Sequence, residues 1–154
     1  MIALRPMTQE EYEPYMRFLR EDYARERAKS SDTPIEEERI ESDRQIANLL
    51  PDGLQSAGHH LWSVVEAVDG EVVGTLWVFV DDGKQRAFIY DIAIQKAQRG
   101  KGYGRRALEL LEDKLRPLGV TRIALNVFAQ NSVARHLYEK QGYYPVATVM
   151  QKTI

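Results

Sequence analysis

Between a strand-like run and a helix-like run, the chain reads Arg99-Gly100-Lys101-Gly102-Tyr103-Gly104. Strand, glycine loop and helix N-terminus form an arrangement that binds phosphate. Glycines let the backbone come close, and unpaired N–H groups together with the helix dipole favour an anion. Two well-known phosphate signatures do not match. The nucleoside-triphosphate loop ends in Gly-Lys-Ser/Thr, whereas Lys101 is followed by Gly102. The dinucleotide fingerprint needs a glycine three residues after Gly102, and Arg105 stands there. From the loop alone, a tight turn before a helix reads equally well. Three further side chains have chemistry to offer. Asp91 stands in an otherwise apolar strand, where a carboxylate costs free energy unless it is paired or lies at a cleft. Alternation puts it on the face opposite Ile92 and Ile94. It is either an ordinary hydrogen-bonded strand aspartate or a working group. Asn131 stands just before a helix, in an N-cap position. Tyr138 follows in that helix, at a spacing where tyrosine is more often core than catalyst.

Other chemistries are excluded or disfavoured. The chain has no cysteine, so it has no disulfide, thiolate zinc site or cysteine nucleophile. His59 and His60 are adjacent at the start of a strand, so they point to opposite faces and do not form a metal pair. His136 stands alone, and no metal is expected. A formal net charge of -2 gives no drive toward nucleic acid or an anionic membrane. The one basic run is short and lacks interleaved aromatics, which speaks against a nucleic-acid module. No apolar run approaches the ~20 residues that span a bilayer, and the start lacks a basic-then-apolar leader. These features predict a soluble, cytoplasmic protein. They leave monomer or homodimer open.

The elements that must position these residues follow from periodicity. A strand is predicted at 2–7, then a helix at 9–29 capped by Thr8 with Glu11 placed for a capping box. A second helix is predicted at 34–50. Strands at 61–68, 71–80 and 87–94 form a meander whose turns are marked by Asp69-Gly70 and Asp82-Gly83. A helix at 103–118 puts Ala107, Leu108, Leu111 and Leu115 on its inner face. A strand at 122–128, a helix at 131–141 and one or two last strands at 143–152 complete the chain. The order is β-α-α-β-β-β-α-β-α-β, an α/β or α+β domain with a mixed sheet, and no linker divides residues 1–154.

The segment IYDIAIQKAQRGKGYGRRALELLEDKL closely resembles motif A of the GNAT superfamily of N-acetyltransferases, with Arg99, Gly102 and Gly104 on its conserved-type positions. Further on, NSVARHLYEKQGYYP resembles the family's motif B, and the element order resembles the GNAT fold over nearly the whole chain. The stretches LLPDGLQSAGHHLWSV and AFIYDIAI resemble a bacterial subgroup of these proteins. One departure is Gln95-Lys96-Ala97-Gln98, where many relatives have Asp-Pro before the arginine loop. The resemblance implies acetyl-coenzyme A as cosubstrate. It implies that the backbone amides of Arg99, Gly100, Lys101, Gly102, Tyr103 and Gly104 hold the pyrophosphate. Backbone groups of Ile92, Ala93 and Ile94 would pair with the pantetheine arm. Lys96, Arg99, Lys101, Arg105 and Arg106 suit the phosphates, with a solvated helix face as the plainer reading of Arg106. It gives Asn131 a second role, bonding the pantetheine arm in competition with the cap. It gives Tyr138 the role of general acid beside the thioester sulfur, and Asp91 that of a base or water-positioning group.

An N-acetyltransferase needs a neutral amine. An alkylammonium of pKa ~10.4 is neutral about once in a few thousand molecules at pH 7, a handicap of ~4–5 kcal/mol. A base or ordered waters must take that proton. With no cysteine, a thioester-linked acetyl-enzyme is impossible, so direct transfer in a ternary complex is expected, with an N–H near Ile92 or Ile94 as oxyanion donor. The rival reading is a catalytically silent coenzyme-binding sensor or structural subunit. In the family the first two helices border the acceptor groove. Here they carry Glu21, Asp22, Glu26, Glu36, Glu37 and Glu38 among other acids, which predicts a cationic acceptor unless the acids are only a solvated surface.

Overall fold

The computed structural model describes all 154 residues. Five strands form one sheet in the order β1-β2-β3-β4-β5. They are β1 (Ile2–Pro6), β2 (His59–Glu66), β3 (Val72–Asp81), β4 (Arg86–Ile94) and β5 (Arg122–Leu125). The first four pair antiparallel, and β4 pairs β5 in parallel. That parallel step needs a crossover, supplied by helix α3 (Tyr103–Leu115). Helices α1 (Gln9–Ser31) and α2 (Ile35–Leu49) join β1 to β2, and α4 (Ser132–Lys140) follows β5.

The sheet offers one face to each of two cores, and β2 and β3 contribute to both by period-two alternation. On one face Val64, Leu76, Val78 and Ile89 pack against Leu108, Leu111 and Leu115 of α3. On the other, Leu61 and Trp77 pack against Tyr12, Tyr15, Met16 and Leu19 of α1 and Ile46 of α2. The capping box fixes the entry of α1. Thr8 Oγ1 accepts from the Glu11 N–H at 3.2 Å, and the Glu11 carboxylate accepts from the Thr8 N–H at 2.9 Å. The same carboxylate accepts from Arg5 and from Ser63 Oγ, so one residue ties α1 to both β1 and β2. The Arg5 hydrogen bond holds the Glu11 carboxyl down at about 2.

The C-terminal segment departs from expectation. Residues 143–152 form no strand. The Tyr143 N–H donates to Tyr138 O at 3.0 Å, and beyond it residues 144–154 make no backbone–backbone hydrogen bond. Tyr144, Val146, Val149 and Met150 are all exposed. Valine and tyrosine favour a pleated, half-buried surface more than an extended backbone as such, and this segment lies on no such surface. The strand before α4 also ends early, at Leu125 instead of 128, because its ladder to β4 stops there.

Candidate active site

The pairing of β4 with β5 runs from Arg86↔Arg122 to Ile89↔Leu125 and then ceases. β4 continues to Ile94, held on its other side by β3 through Leu76↔Ile92, Thr75↔Ala93 and Gly74↔Ile94. Residues 91–94 therefore have one backbone edge without a neighbouring strand, beside residues 126–128, which belong to no ladder. Such an edge accepts an extended chain of amides as it would another strand. A bulge at Trp77/Val78 leaves Tyr90 without a cross-strand partner, at the point where the two strands part. Gly74 holds β3 tight against this stretch. A Cβ there would lie 2.4 Å from Ala93 O and 3.3 Å from Ile94 Cα, both backbone atoms. An isolated glycine inside a strand is a signal of such an approach, and it is legible in the sequence.

The end of β4 feeds the glycine loop. Gly100 and Gly102 both have φ +80°, the left-handed region, and a Cβ at either would meet nothing within 4 Å. The loop is thus glycine for its left-handed backbone, and the space beside it is open. Gly102 caps α3 without a side-chain bond, and the first helical amide to find an acceptor is that of Arg106, to Gly102 O at 3.1 Å. The amides of Tyr103, Gly104 and Arg105 precede it, with no earlier turn to bond. Gly104 has a different reason to be glycine. A Cβ there would lie 3.1 Å from Leu137 Cδ2, so it sets the approach of α4 to α3. Two side chains turn away from the loop. Arg99 Nε donates to Ile94 O at 3.0 Å, and the Tyr103 hydroxyl donates to Glu66. Lys96, Lys101 and Arg105 are exposed.

Asp91 faces α1, opposite Ile92 and Ile94, because it is paired across the sheet with Trp77 of the α1-side core. The Tyr15 hydroxyl donates to Asp91 Oδ2 at 2.7 Å. Burial pushes the Asp91 carboxyl up to about 6, with the Tyr15 hydrogen bond opposing and the charge of Asp22 adding. Tyr15 is the partner that sequence reasoning missed. It belongs to the apolar stripe of α1, and spacing along a helix does not tell which side chain of a distant strand its hydroxyl will meet. Tyr138 lies half-buried against the α3-side core with Ile92 and Ile94. Burial and then the Asp91 charge push its hydroxyl up to about 12. Asn131 acts as the N-cap of α4, its Oδ1 accepting from the Ala134 N–H at 3.2 Å. That use of Oδ1 leaves the amide nitrogen of the same side chain to donate elsewhere.

The acids of the first two helices are largely spent on each other's neighbours. Glu38 is buried and holds Arg27 at 2.7 Å. Arg39 bridges Glu21 at 2.7 Å and Glu36 at 2.5 Å, and Glu41 takes Arg44. The expected acidic rim of Glu36, Glu37 and Glu38 is therefore corrected at Glu38, which is only 5 % exposed and pins α2 to α1. Antiparallel packing of two charged helices turns such groups toward one another. Asp22, half-buried on α1, stays near the site; burial raises its carboxyl first, then the charge of Glu26. His59 and His60 do point apart. His59 accepts from Trp77 Nε1 on one face, and His60 stacks on Trp62 of the other core.

Comparison with known proteins places this arrangement. The model of the acetyltransferase (GNAT) family matches residues 6–143. The uncharacterized N-acetyltransferase YycN of Bacillus subtilis is 37% identical over 155 residues, covering 99% of each protein. YdgE of the same organism, also named an uncharacterized N-acetyltransferase, is 36% identical over 155 residues, covering 99% of this chain and 98% of its own. The crystal structure of YycN superposes with a TM-score of 0.94 at 36% identity, over 100% of this chain and 99% of that one. The fold is shared with PaiA N-acetyltransferase of Thermoplasma acidophilum, solved with coenzyme A. That match has 18% identity and a TM-score of 0.65, over 92% of this chain and 88% of that one.

Proposed function

The chain belongs to the acetyltransferase (GNAT) family and is an acetyltransferase; from that premise we propose that it transfers the acetyl group of acetyl-coenzyme A to a primary amine by direct attack in a ternary complex. The observation that carries this reading is the parting of β4 from β5 beside Asp91 and Tyr138, with the open glycine loop at the far end of the same strand. Acetyl-coenzyme A brings an activated carbonyl and a thiolate leaving group. The chain's own residues bind, orient and move protons. Amides of residues 100–105 hold the pyrophosphate, and Ile92, Ala93 and Ile94 present the free strand edge to the pantetheine amides. An N–H of Ile92 or Ile94 meets the carbonyl oxygen as it gains charge.

Asp91, with its carboxyl near 6, is mostly ionised at pH 7 and able to accept a proton. Taking that proton from a free alkylammonium of pKa ~10.4 is uphill by about 4 units, or ~6 kcal/mol. An ammonium has no lone pair, so that proton passes to solvent before attack. The proton Asp91 takes is the one made more acidic when the neutral nitrogen bonds to the carbonyl carbon and gains positive charge. Tyr138, near 12, is a weaker acid than an ordinary thiol of pKa ~8.5. Full transfer from Tyr138 to a thiolate is therefore unfavourable unless its proton is replaced at once. Its hydroxyl serves by hydrogen-bonding the sulfur as charge develops, while the proton taken by Asp91 balances the one the thiolate finally gains.

The test is thiol release from acetyl-coenzyme A with a panel of primary amines, followed across pH. Turnover should rise with pH through an acid limb near 6, since the base must be ionised. A thermal shift with acetyl-coenzyme A but no turnover with any amine would leave a coenzyme-binding sensor instead.

A further inference from the structure

The packed core that α1 and α2 form on the Asp91 face of the sheet reaches as far as Trp77. Beyond Trp77 the same face continues as a shelf of rings. Tyr90 stacks on Trp77 with centroids 4.7 Å apart and planes 25° apart, and Phe88 meets Tyr90 edge-on at 4.8 Å. His59 closes the far side, 4.8 Å from Phe79 and 5.8 Å from Tyr90. The strand registers His59↔Phe79 and Phe79↔Phe88 put these rings on one face. Phe79 is roofed in part by Gly58, where a Cβ would come 2.6 Å from its ring. Tyr90 is 37% exposed, and Phe79, Phe88 and His59 are half-buried outside the packed core.

The shelf is uncharged at neutral pH. Burial, and then the neighbouring His60, lower the His59 imidazole, and Trp77 Nε1–H occupies its Nδ1 at 2.9 Å. Next to this neutral surface stands Asp91, one residue from Tyr90. The glycine loop opens α3, which packs on the opposite face of the sheet. A ligand on the shelf would therefore approach the parted strands from the side away from the phosphates. A flat apolar surface ending in the Asp91 carboxylate, with Asp22 close behind it, matches a flat apolar body ending in an ammonium.

We propose that the rings of Phe79, Phe88 and Tyr90 form the acceptor-binding surface, and that the acceptor is a small amine carrying an aromatic ring on a short tether. The ring lies on the shelf while the amino group reaches Asp91. This rests on the acetyl-transfer reading, and it goes beyond it by naming the acceptor's chemistry. It also accounts for acceptor recognition without Glu36, Glu38 and Glu41 of α2, whose charges are taken by Arg39, Arg27 and Arg44.

The test compares phenethylamine with hexylamine as acceptors at saturating acetyl-coenzyme A, for the wild type and for Tyr90→Leu and Phe88→Leu. Aromatic pairing adds on the order of 0.5–1.5 kcal/mol per ring beyond area burial, so kcat/KM should favour phenethylamine by about tenfold. The leucine variants keep apolar area, and the ratio should fall toward one. Equal kcat/KM for the two amines in the wild type overturns the shelf and leaves acetyl transfer standing. A second readout does not need turnover: phenethylamine binding in the presence of coenzyme A, followed by tryptophan fluorescence. Binding weakened by Tyr90→Leu supports the shelf even if transfer fails; equal binding to both proteins overturns it. Sedimentation of wild type and Tyr90→Leu completes the test. A dimer that Tyr90→Leu dissociates, without any preference for the aromatic amine, would make this face an interface between copies and overturn the proposal.

Discussion

The two ends of the sheet are built differently. At one end, β2 and β3 are paired on both edges and carry a core on each face. Val64, Val73, Leu76 and Val78 are at 0% exposure beneath the apolar stripe of α3, and on the other face α1 buries its stripe against Leu61 and Trp77. At the other end, β5 pairs over four residues, α4 has no buried residue, and residues 144–154 make no backbone–backbone hydrogen bond. Yet the candidate chemistry straddles the boundary. Asp91 and the glycine loop hang from the packed end, and Asn131 and Tyr138 from the loose one. The rigid end sets where a ligand's phosphates and carbonyl would lie. The other end can part from it because little hydrophobic free energy holds the two together. Opening a strand pair leaves backbone groups unpaired, and an extended amide-bearing ligand is what can satisfy them.

Five perturbations break or sharpen that contrast. The largest is Gly102→Val. The Cβ would enter open space, so packing should tolerate it, but φ +80° strains a branched residue and the side chain fills the anion's place. Acetyl-coenzyme A should raise the wild-type Tm through linkage and fail to shift the variant; equal shifts would remove the loop from the site. Next is Tyr138→Phe, which keeps the ring and removes the hydroxyl. We expect kcat to fall by ~10²–10⁴ with coenzyme affinity little changed. An unchanged kcat, with chemistry rate-limiting, would return Tyr138 to a packing role.

Asp91→Asn should separate function from stability. The folded carboxyl is raised from 3.8 to about 6, so its ionised form is disfavoured by folding. Its favourable contribution is present below pH 4 and is lost as pH rises through 6. The neutral variant should therefore gain stability relative to wild type between these values and keep the gain above them, on the order of 3 kcal/mol, while losing turnover. Denaturant titrations at pH 4 and pH 8 give the difference; a constant gap would show that Asp91 is not strained by burial. Gly74→Ala probes the packed end. Its Cβ would lie 2.4 Å from a backbone oxygen, and overpacking of this kind costs about 1–3 kcal/mol. Tm should drop and coenzyme affinity with it, since Ala93 and Ile94 must shift. The smallest effect is expected from truncation after Tyr143. The removed residues bury almost nothing, so the unfolding free energy should change by less than about 0.5 kcal/mol. A larger loss would mean the segment is packed in solution.

Much of this molecule was legible before any coordinates. Thr8 and Glu11 announce a helix start because both bonds of the box are local. Gly100 and Gly102 mark a loop that needs left-handed backbone, and Asp91 stands out because a carboxylate in an apolar strand needs a reason. The alternation that set Asp91 against Ile92 and Ile94 also held, since side-chain period in a strand is a property of the backbone. The terminal strand failed for the complementary reason. Residues 143–152 have strand composition, but a strand exists only where a neighbour completes its ladder, and composition carries no information about that neighbour.

What the sequence determined by itself was therefore local: caps, turns, alternation, the glycine loop and the family pattern built from them. What only tertiary structure decided were meetings between distant residues. Tyr15 reaches Asp91 across 76 positions, Gly104 yields to Leu137, and Glu38 turns inward to Arg27. The parting of β4 from β5 after Ile89 belongs with these. Local features follow from backbone geometry within a few residues. The distant ones depend on how whole elements pack, where each contact is set by the sum of all the others.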